Sequence, residues 1–119
     1  MIVPVKTDTW DYDIVLEPGA IEKAGELLDL NRRALIVTDS GVPVRYAETV
    51  AAQCKDAVIV TIPQGEQSKC FDEFKHLLQE MLDASFTRGD CVVAVGGGVV
   101  GDLSGFAASC YMRGVDFYN

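Results

Sequence analysis

The sequence predicts an α/β fold with a doubly wound, mainly parallel sheet of the Rossmann-like type. Three runs rich in β-branched residues, 34–38, 57–62 and 91–95, are apolar throughout. They do not alternate with polar residues, which is typical of strands covered on both faces. Segments of helical period separate the runs, and alternation of strand and helix is the pattern of a parallel sheet.

Shorter elements precede and follow these strands. Residues 2–5 and 12–16 are predicted to form an N-terminal antiparallel hairpin at the edge of the sheet. Pro18 and Gly19 then open a short amphipathic helix. Residues 115–118 have the pattern of a further buried strand, for which no following helix is present.

Two longer amphipathic helices are predicted between the buried strands. One begins at Pro43, and the other spans residues 71–86. Their apolar faces are expected to comprise Val44, Ala47, Ala51 and Cys54 in the first and Phe71, Phe74, Leu78 and Met81 in the second. His76, the only histidine, falls on the polar side of the second helix, so we expect a solvated side chain there.

The composition restricts the partners. At 119 residues the chain has room for one domain, and its net charge of -8 argues against nucleic acid, which needs clustered Lys and Arg. No apolar run approaches the roughly 20 residues that cross a bilayer, and no signal peptide is evident. We therefore expect a cytoplasmic protein with no membrane partner, whose ligands are small molecules.

The four cysteines lack C-x-x-C spacing, so the sequence predicts neither a zinc knuckle nor a dithiol redox motif. We expect all of them to be buried free thiols, because cysteine often acts as a small apolar residue. These are Cys54, Cys70, Cys91 and Cys110.

The loop after each buried strand carries chemically reactive or ligand-binding residue types. The loops are TDSG at 38–41, PQGEQSK at 63–69 and GGGVVGD at 96–102. In an open parallel sheet, ligands bind outside the carboxyl ends of the strands, so all three loops are expected to meet at one edge.

The glycine run is the strongest of these signals. Gly96, Gly98 and Gly101 satisfy the G-x-G-x-x-G spacing directly after a predicted strand, as in dinucleotide-binding folds. The glycines would let backbone N–H groups approach a pyrophosphate, and a helix starting near Val99 would direct its positive dipole end there. The alternative is a turn used only for close packing of strand and helix.

Charged residues near these loops each have two interpretations. Asp39 is either a ribose-binding carboxylate or a turn or helix-capping residue. Asp102 either accepts hydrogen bonds from ligand hydroxyls or is an acid favoured in the first turn of a helix. Glu66 and Lys69 either grip two parts of one ligand or belong to a helix cap. Arg113, considered alone, is typical of a surface charge.

At these loops the chain resembles the 3-dehydroquinate synthase family. The matching segments are TDSGVP, PQGEQSK and FTRGDCVVAVGGGVVGDLSGFAASCYMRGVDF, in this order and spacing. The resemblance implies that 1–119 is an N-terminal NAD-binding domain, incomplete at its C-terminal end. It also implies a helical C-terminal domain holding a divalent metal, zinc or cobalt, and a homodimer. The implied reaction converts 3-deoxy-D-arabino-heptulosonate 7-phosphate to 3-dehydroquinate with loss of phosphate.

The resemblance also assigns roles to particular residues. It implies NAD contacts for Asp39, Gln64, Gly65, Glu66, Gln67, Ser68, Lys69, Gly97, Gly98, Val99, Val100, Gly101 and Asp102. Arg113 matches an arginine that reaches the phosphate of the sugar phosphate substrate across a dimer interface. Gly41 stands where many relatives carry asparagine, so a side-chain contact there is absent or is supplied by backbone. The family's metal ligands and catalytic lysines lie beyond residue 119, so we expect residues 1–119 alone to be inactive.

Two other kinds of protein fit the same residues. One is a related enzyme, such as 2-deoxy-scyllo-inosose synthase or a metal-dependent polyol dehydrogenase, although the motif around the glycine run favours sugar-phosphate cyclases. The other is a nucleotide-binding module that carries out no chemistry.

Overall fold

A computed structural model describes all 119 residues and contains a central sheet of four parallel strands. The strands are β3 (Arg33–Asp39), β4 (Asp56–Ile62), β5 (Cys91–Ala94) and β6 (Asp116–Tyr118), in the spatial order β4-β3-β5-β6. This architecture confirms the predicted Rossmann-like, mainly parallel sheet. The last strand forms as predicted, but it is an edge strand whose residues are exposed or half-buried, so its predicted burial is wrong.

Helices cover both faces of this sheet. They are α1 (Ala24–Leu27), α2 (Val44–Ala51), α3 (Phe71–Asp83) and α4 (Gly98–Cys110). Along β3, Leu35 and Val37 pack in the core beneath α3 and α4, whereas Ala34 and Ile36 pack beneath α1 and α2. Because successive side chains of a strand point to opposite faces, a strand covered on both sides has to be apolar throughout.

The predicted hairpin forms, but it does not join the edge of the main sheet. β1 (Ile2–Lys6) and β2 (Asp11–Val15) pair only with each other, as a separate two-stranded antiparallel sheet. Pro4 lacks the N–H that a further strand neighbour would need, and Asp13 interrupts the apolar sequence of β2. The pairing was therefore predictable, whereas its position was predicted wrongly.

The helix faces differ in part from the predicted ones. α2 buries Ala47 and Val50, whereas Val44 is 54% exposed at the first residue of the helix. α3 buries Leu77 and Met81, but Phe71 is 84% exposed. Each exposed residue is the first of its helix, so the apolar periodicity begins before the part of the helix that the core buries.

Two further expectations are corrected at the margins of the core. α3 ends at Asp83 rather than Phe86, and Phe86 is buried from the following loop. β4 is an edge strand with Ile59 37% exposed, so it is not covered on both faces. Both differences arise because an apolar sequence indicates that residues are buried but does not indicate which neighbouring element covers them.

The cysteines are free, as predicted, but they are not all buried. Cys91 is buried and Cys54 is half-buried, whereas Cys70 and Cys110 are exposed at a helix start and a helix end. Burial raises the pKa of Cys91 from its ordinary value of 9.0 to about 11. The Cys91 thiol therefore stays protonated in the folded protein at neutral pH.

His76 faces solvent on α3, as predicted. Its Nδ1 lies 3.3 Å from Glu73 Oε2 and its Nε2 lies 3.2 Å from Glu80 Oε1. These neighbours are one helical turn away on either side, as expected for an exposed helix face. No helix of the chain has the length and apolarity that crossing a membrane requires.

Candidate functional site

The carboxyl ends of β3 and β5 form a crevice at the centre of the sheet. The two strands are neighbours, with Val37 opposite Ala94 near their ends. The chain leaves β3 towards α2 on one face and leaves β5 towards α4 on the other. Such a reversal of direction opens a cleft between the loops, and it is where open α/β sheets bind ligands.

One wall of this crevice is the glycine run after β5. Val95 N–H donates to Val37 O at 2.8 Å, which extends the strand to the start of the run. Gly97 then precedes α4 as its N-cap residue, with no side-chain hydrogen bond to the helix. The N–H groups of the first turn of a helix have no acceptor within the helix, so those at Gly98 to Val100 suit an anionic ligand.

The glycines of this run do not all serve the same purpose. A Cβ on Gly96 would lie 2.8 Å from Val100 Cγ2, so close packing of strand and helix requires glycine there. A Cβ on Gly97 or Gly98 would meet no atom within 4 Å, and neither residue has a positive φ. Of these three glycines, folding therefore explains Gly96 only, and the open space over Gly97 and Gly98 fits a pyrophosphate against the backbone.

The second wall is the loop after β3, which is built around Asp39. One carboxylate oxygen, Oδ1, accepts the N–H of Gly41 at 2.8 Å, so Asp39 forms a tight turn. Its other oxygen has no hydrogen-bond partner in the chain, and α2 has no side-chain cap at Pro43. The helix-cap interpretation of Asp39 is therefore wrong, and the turn leaves one oxygen free for a ligand.

The loop after β4 is tied to the loop after β3. Ser40 N–H donates to Ile62 O at 3.0 Å, and Ser40 Oγ accepts the N–H of Gln64 at 3.0 Å. Gly65 has a φ of 112°, which only glycine adopts without strain. The short 3-10 turn Glu66–Ser68 follows, with Ser68 buried and bonded to the carbonyl of Pro63.

Lys69 links this loop to α4. Its Nζ lies 2.8 Å from Asp102 Oδ2 and 3.8 Å from Glu66 Oε2. The hydrogen bond to Asp102, together with the charges of Asp102 and Glu66, raises the pKa of Lys69. The N-cap residue of α3 is Cys70, which makes no side-chain cap bond, so the helix-cap interpretation of Glu66 and Lys69 is wrong.

Asp102 lies just past the first turn of α4, in which it was expected. The helix begins at Gly98, so Asp102 is in the second turn, where the dipole of the helix no longer favours an acid strongly. Its partner is instead the ammonium of Lys69, and its side chain is 66% exposed. The pair thus places one cation and one anion at the open side of the carboxyl edge.

Arg113 lies at the opposite edge of the sheet from the other predicted site residues. α4 runs from the carboxyl end of β5 back to the amino end of β6, where Asp116 pairs with Cys91. Its 13 residues span about 20 Å at 1.5 Å per residue. Within one chain, Arg113 is therefore not brought together with the glycine run.

Two features of the site were missed from the sequence. The rings of Phe74 and Phe106 pack against each other with centroids 4.7 Å apart and planes tilted by 41°. With exposed Phe71, they form one side of a cleft of about 420 Å³ beside Lys69 and Asp102. Asn119 lies next to α4, with its Oδ1 3.2 Å from where a Cβ of Gly101 would be. The sequence contained a signal for Asn119, because this residue directly follows β6, and β6 ends at the same edge of the sheet as the other strands.

Comparison with known proteins identifies relatives. The family model described as 3-dehydroquinate synthase N-terminal matches residues 59–119. The 3-dehydroquinate synthase of Caulobacter vibrioides is 42% identical over 123 residues, which cover 97% of this chain and 33% of the relative. That of Bacillus pumilus is 37% identical over 120 residues, which cover 95% of this chain and 33% of the relative. The chain thus spans about a third of the length of these relatives.

Solved structures share the fold. A crystal structure of 2-deoxy-scyllo-inosose synthase superposes with a TM-score of 0.87 at 21% identity, covering 98% of this chain and 35% of that one. ValA, a 2-epi-5-epi-valiolone synthase from Streptomyces hygroscopicus subsp. jinggangensis with NAD+ and Zn2+ bound, gives 0.75 at 28% identity, covering 95% and 33%. The family match spans half of the chain and includes two of the three site loops. The chain therefore belongs to the 3-dehydroquinate synthase N-terminal family.

Proposed function

We propose that residues 1–119 are the N-terminal, NAD-binding part of a 3-dehydroquinate synthase. The observation that carries this proposal is the open space over Gly97 and Gly98 at the first turn of α4, which folding alone does not require. The family match and the relatives' shared name support it. By "the complete protein" we mean this chain joined to the remaining length that its relatives have.

The proposed reaction converts 3-deoxy-D-arabino-heptulosonate 7-phosphate to 3-dehydroquinate and phosphate. Bound NAD supplies reversible hydride transfer, and the protein supplies orientation. The binding of ValA to NAD+ and Zn2+ supports the same cofactor pair for this protein. Elimination of phosphate makes the enzyme a carbon-oxygen lyase.

Each wall of the crevice has a role in this proposal. Backbone N–H groups at Gly98 to Val100 bind the pyrophosphate, and the free oxygen of Asp39 accepts a hydrogen bond from a ribose hydroxyl. Lys69 supplies a positive charge that Asp102 holds in place. The remaining residues of the loop 64–69 shape this binding surface.

The metal and catalytic residues are proposed to lie outside residues 1–119. No group of three or more His, Cys, Asp or Glu side chains in this chain is arranged to hold a metal ion. We propose that a divalent metal, zinc or cobalt, is held by the C-terminal domain. Residues 1–119 alone are then expected to release no phosphate, and measurable release would contradict this division of roles.

Arg113 is proposed to act on the partner subunit's substrate in a homodimer. It is separated from the glycine run of its own chain by the length of α4, about 20 Å. A planar guanidinium suits two-point contact with a phosphate. We also propose that the protein works in the cytoplasm, with a sugar phosphate as its small-molecule partner.

Phosphate release by the complete protein tests the proposal. With NAD+ and Zn2+ present, we expect phosphate from the heptulosonate phosphate and none from glucose 6-phosphate. Release from glucose 6-phosphate alone would instead indicate a 2-deoxy-scyllo-inosose synthase. Binding of NAD+ without release from either sugar would favour a nucleotide-binding module.

A further inference from the structure

Gly41 and Gln64 approach each other across the two tied loops at the carboxyl edge. A Cβ on Gly41 would lie 2.5 Å from both Cδ and Oε1 of Gln64 and 2.9 Å from its Nε2. No contact of that length is tolerated, so the amide of Gln64 occupies the space that any side chain at position 41 would fill.

The backbone does not require glycine at position 41. Gly41 does not have a positive φ, unlike Gly65 in the neighbouring loop. The obstructing atoms belong to the end of a flexible side chain, which can turn away at little cost to folding. Glycine at this position therefore determines where the Gln64 amide lies, and it has little effect on whether the loop forms.

The Gln64 amide has no partner in the chain, although its backbone is well held. The N–H of Gln64 donates to Ser40 Oγ at 3.0 Å, and its carbonyl accepts from Gln67 Nε2 at 3.0 Å. Its side chain makes no hydrogen bond of its own. The backbone of Gln64 is thus fixed, and its amide lies over a glycine with its donors and acceptor available to a ligand.

Asp39 adjoins Gly41 as well. Its Oδ1 accepts the N–H of Gly41 at 2.8 Å, and its other oxygen is unpartnered. A carboxylate accepts hydrogen bonds only, whereas an amide both donates and accepts. Two neighbouring hydroxyl groups, each of which donates and accepts, satisfy such a pair of side chains.

We propose that Gly41, on the same loop as Asp39, is a positioning residue that leaves room for the Gln64 amide, so that Gln64 and Asp39 together bind the vicinal hydroxyls of a ribose. This inference rests on the proposed function, because it takes the dinucleotide as the ligand. It adds a coupling that neither residue reveals alone: position 41 contributes to binding only through position 64.

Titration of the complete protein with NAD+ tests this coupling in Gly41→Ala, Gln64→Ala and the double variant. Each single change should weaken NAD+ binding by about three- to tenfold, the effect of losing one neutral hydrogen bond. The double variant should bind no more weakly than Gln64→Ala, because the alanine at 41 then has nothing left to displace. Gly89→Ala is the matched control, since its Cβ would meet only Thr87 Oγ1 at 3.8 Å, and it should bind as the wild type does.

A second readout needs no ligand. The side-chain amide NMR resonances of Gln64 should shift in NAD-free Gly41→Ala and stay in place in Gly89→Ala, with the urea midpoint unchanged in both. If Gly41→Ala folds only in the Gln64→Ala background, the contact governs folding, and a role for Gly41 in positioning the amide alone is overturned.

The outcomes separate this inference from the proposed function. The coupling is overturned if Gln64→Ala binds NAD+ as tightly as the wild type does. It is also overturned if Gly41→Ala binds as tightly as the wild type while Gln64→Ala binds weakly. Either result leaves the dinucleotide site intact. Additive losses in the double variant overturn the coupling too. Absence of NAD+ binding by the wild-type complete protein overturns the proposed function and, with it, the inference.

Discussion

The two edges of the sheet use their charged residues in opposite ways. At the amino edge, the side chains of Arg32 and Arg33 are mostly buried and make hydrogen bonds within the chain. At the carboxyl edge, Asp39 keeps a free oxygen and Asp102 is 66% exposed. Both edges belong to the same strands, so the difference lies in the segments that enter and leave each strand.

Folding uses the charges of the amino edge. Arg32 donates to Asp116 Oδ2 at 2.8 Å and to the Tyr118 hydroxyl at 2.7 Å, which ties β6 to the sheet. Arg33 donates to Asp90 Oδ2 at 3.1 Å and to the carbonyl of Ser85 at 2.6 Å. Hydrogen bonding capacity that is satisfied inside the chain is unavailable to a ligand.

The carboxyl edge leaves several of its groups unsatisfied. The first turn of α4 has open N–H groups, and Gly97 and Gly98 have no neighbouring atoms above them. Such an edge contributes little to stability and presents polar groups that a ligand satisfies. Variants of the amino edge should therefore change stability, whereas variants of the carboxyl edge should change binding.

The largest effect is expected at the partly buried ion pair between Arg33 and Asp90 at the amino edge. Asp90→Ala leaves the Arg33 guanidinium without its carboxylate and removes the acceptor of the Thr87 N–H. We expect a loss of about 3 kcal/mol in the free energy of unfolding, measured by urea titration. Lys6→Ala, which breaks the exposed pair with Asp11, is the control and should change it by less than about 0.5 kcal/mol. Equal effects of the two variants would contradict the assignment.

The next effect is a pH dependence of stability that Cys91 causes at the amino end of β5. Its folded pKa, about 11, exceeds the ordinary value of 9.0, so the unfolded chain loses the thiol proton first. The stabilising contribution is fully present below pH 9 and is lost as the pH rises through 11, by about 2 to 3 kcal/mol at 1.36 kcal/mol per unit. The free energy of unfolding, measured by urea titration at each pH, should fall more steeply between pH 9 and 11 in the wild type than in Cys91→Ala. Parallel curves would show that the thiol is not buried as described.

A smaller effect, on binding alone, is expected at the carboxyl edge. Lys69→Ala removes the positive charge next to the glycine run, so NAD+ affinity of the complete protein should fall about tenfold in a calorimetric titration. Because the ion pair with Asp102 is exposed, the urea midpoint should stay close to that of the wild type. If Lys69→Ala instead lost much stability and kept its affinity for NAD+, Lys69 would serve folding and not binding, which contradicts the contrast between the edges.

No effect on NAD+ affinity is expected for Arg113→Ala. Arg113 lies at the amino edge, about 20 Å along α4 from the glycine run. Calorimetry should give the wild-type dissociation constant, whereas phosphate release by the complete protein should be impaired. A weakened NAD+ affinity would mean that Arg113 contributes to the cofactor site after all.

The strands were predictable because burial on both faces leaves a local signature. The predicted runs at 34–38 and 57–62 fall inside β3 and β4, and the predicted run at 91–95 extends β5 by one residue. The position of the hairpin was not predictable, since alternation shows that two strands pair and does not show where the pair docks. The exposure of Phe71 was also missed, because a periodic apolar pattern continues past the end of the core.

The candidate site was predictable to the level of its loops. The rule that ligands bind at the carboxyl ends of parallel strands identifies Asp39, Lys69 and the glycine run from the sequence alone. The approach of Gln64 to Gly41 was not predictable, because it depends on how two loops far apart in sequence meet. Neither was the pairing of Lys69 with Asp102 at 2.8 Å, which requires the packing of α3 and α4.

We infer that the carboxyl edge is open because a dinucleotide binds there. Calorimetric titration of the complete protein with NAD+, comparing the wild type with Gly98→Val, tests it most directly. A Cβ at position 98 would meet no protein atom within 4 Å, and the residue has no positive φ, so we expect folding to be little affected. We predict at least a roughly tenfold loss of affinity with an unchanged urea midpoint, because the valine fills the space of the pyrophosphate. Wild-type affinity in Gly98→Val would contradict the account.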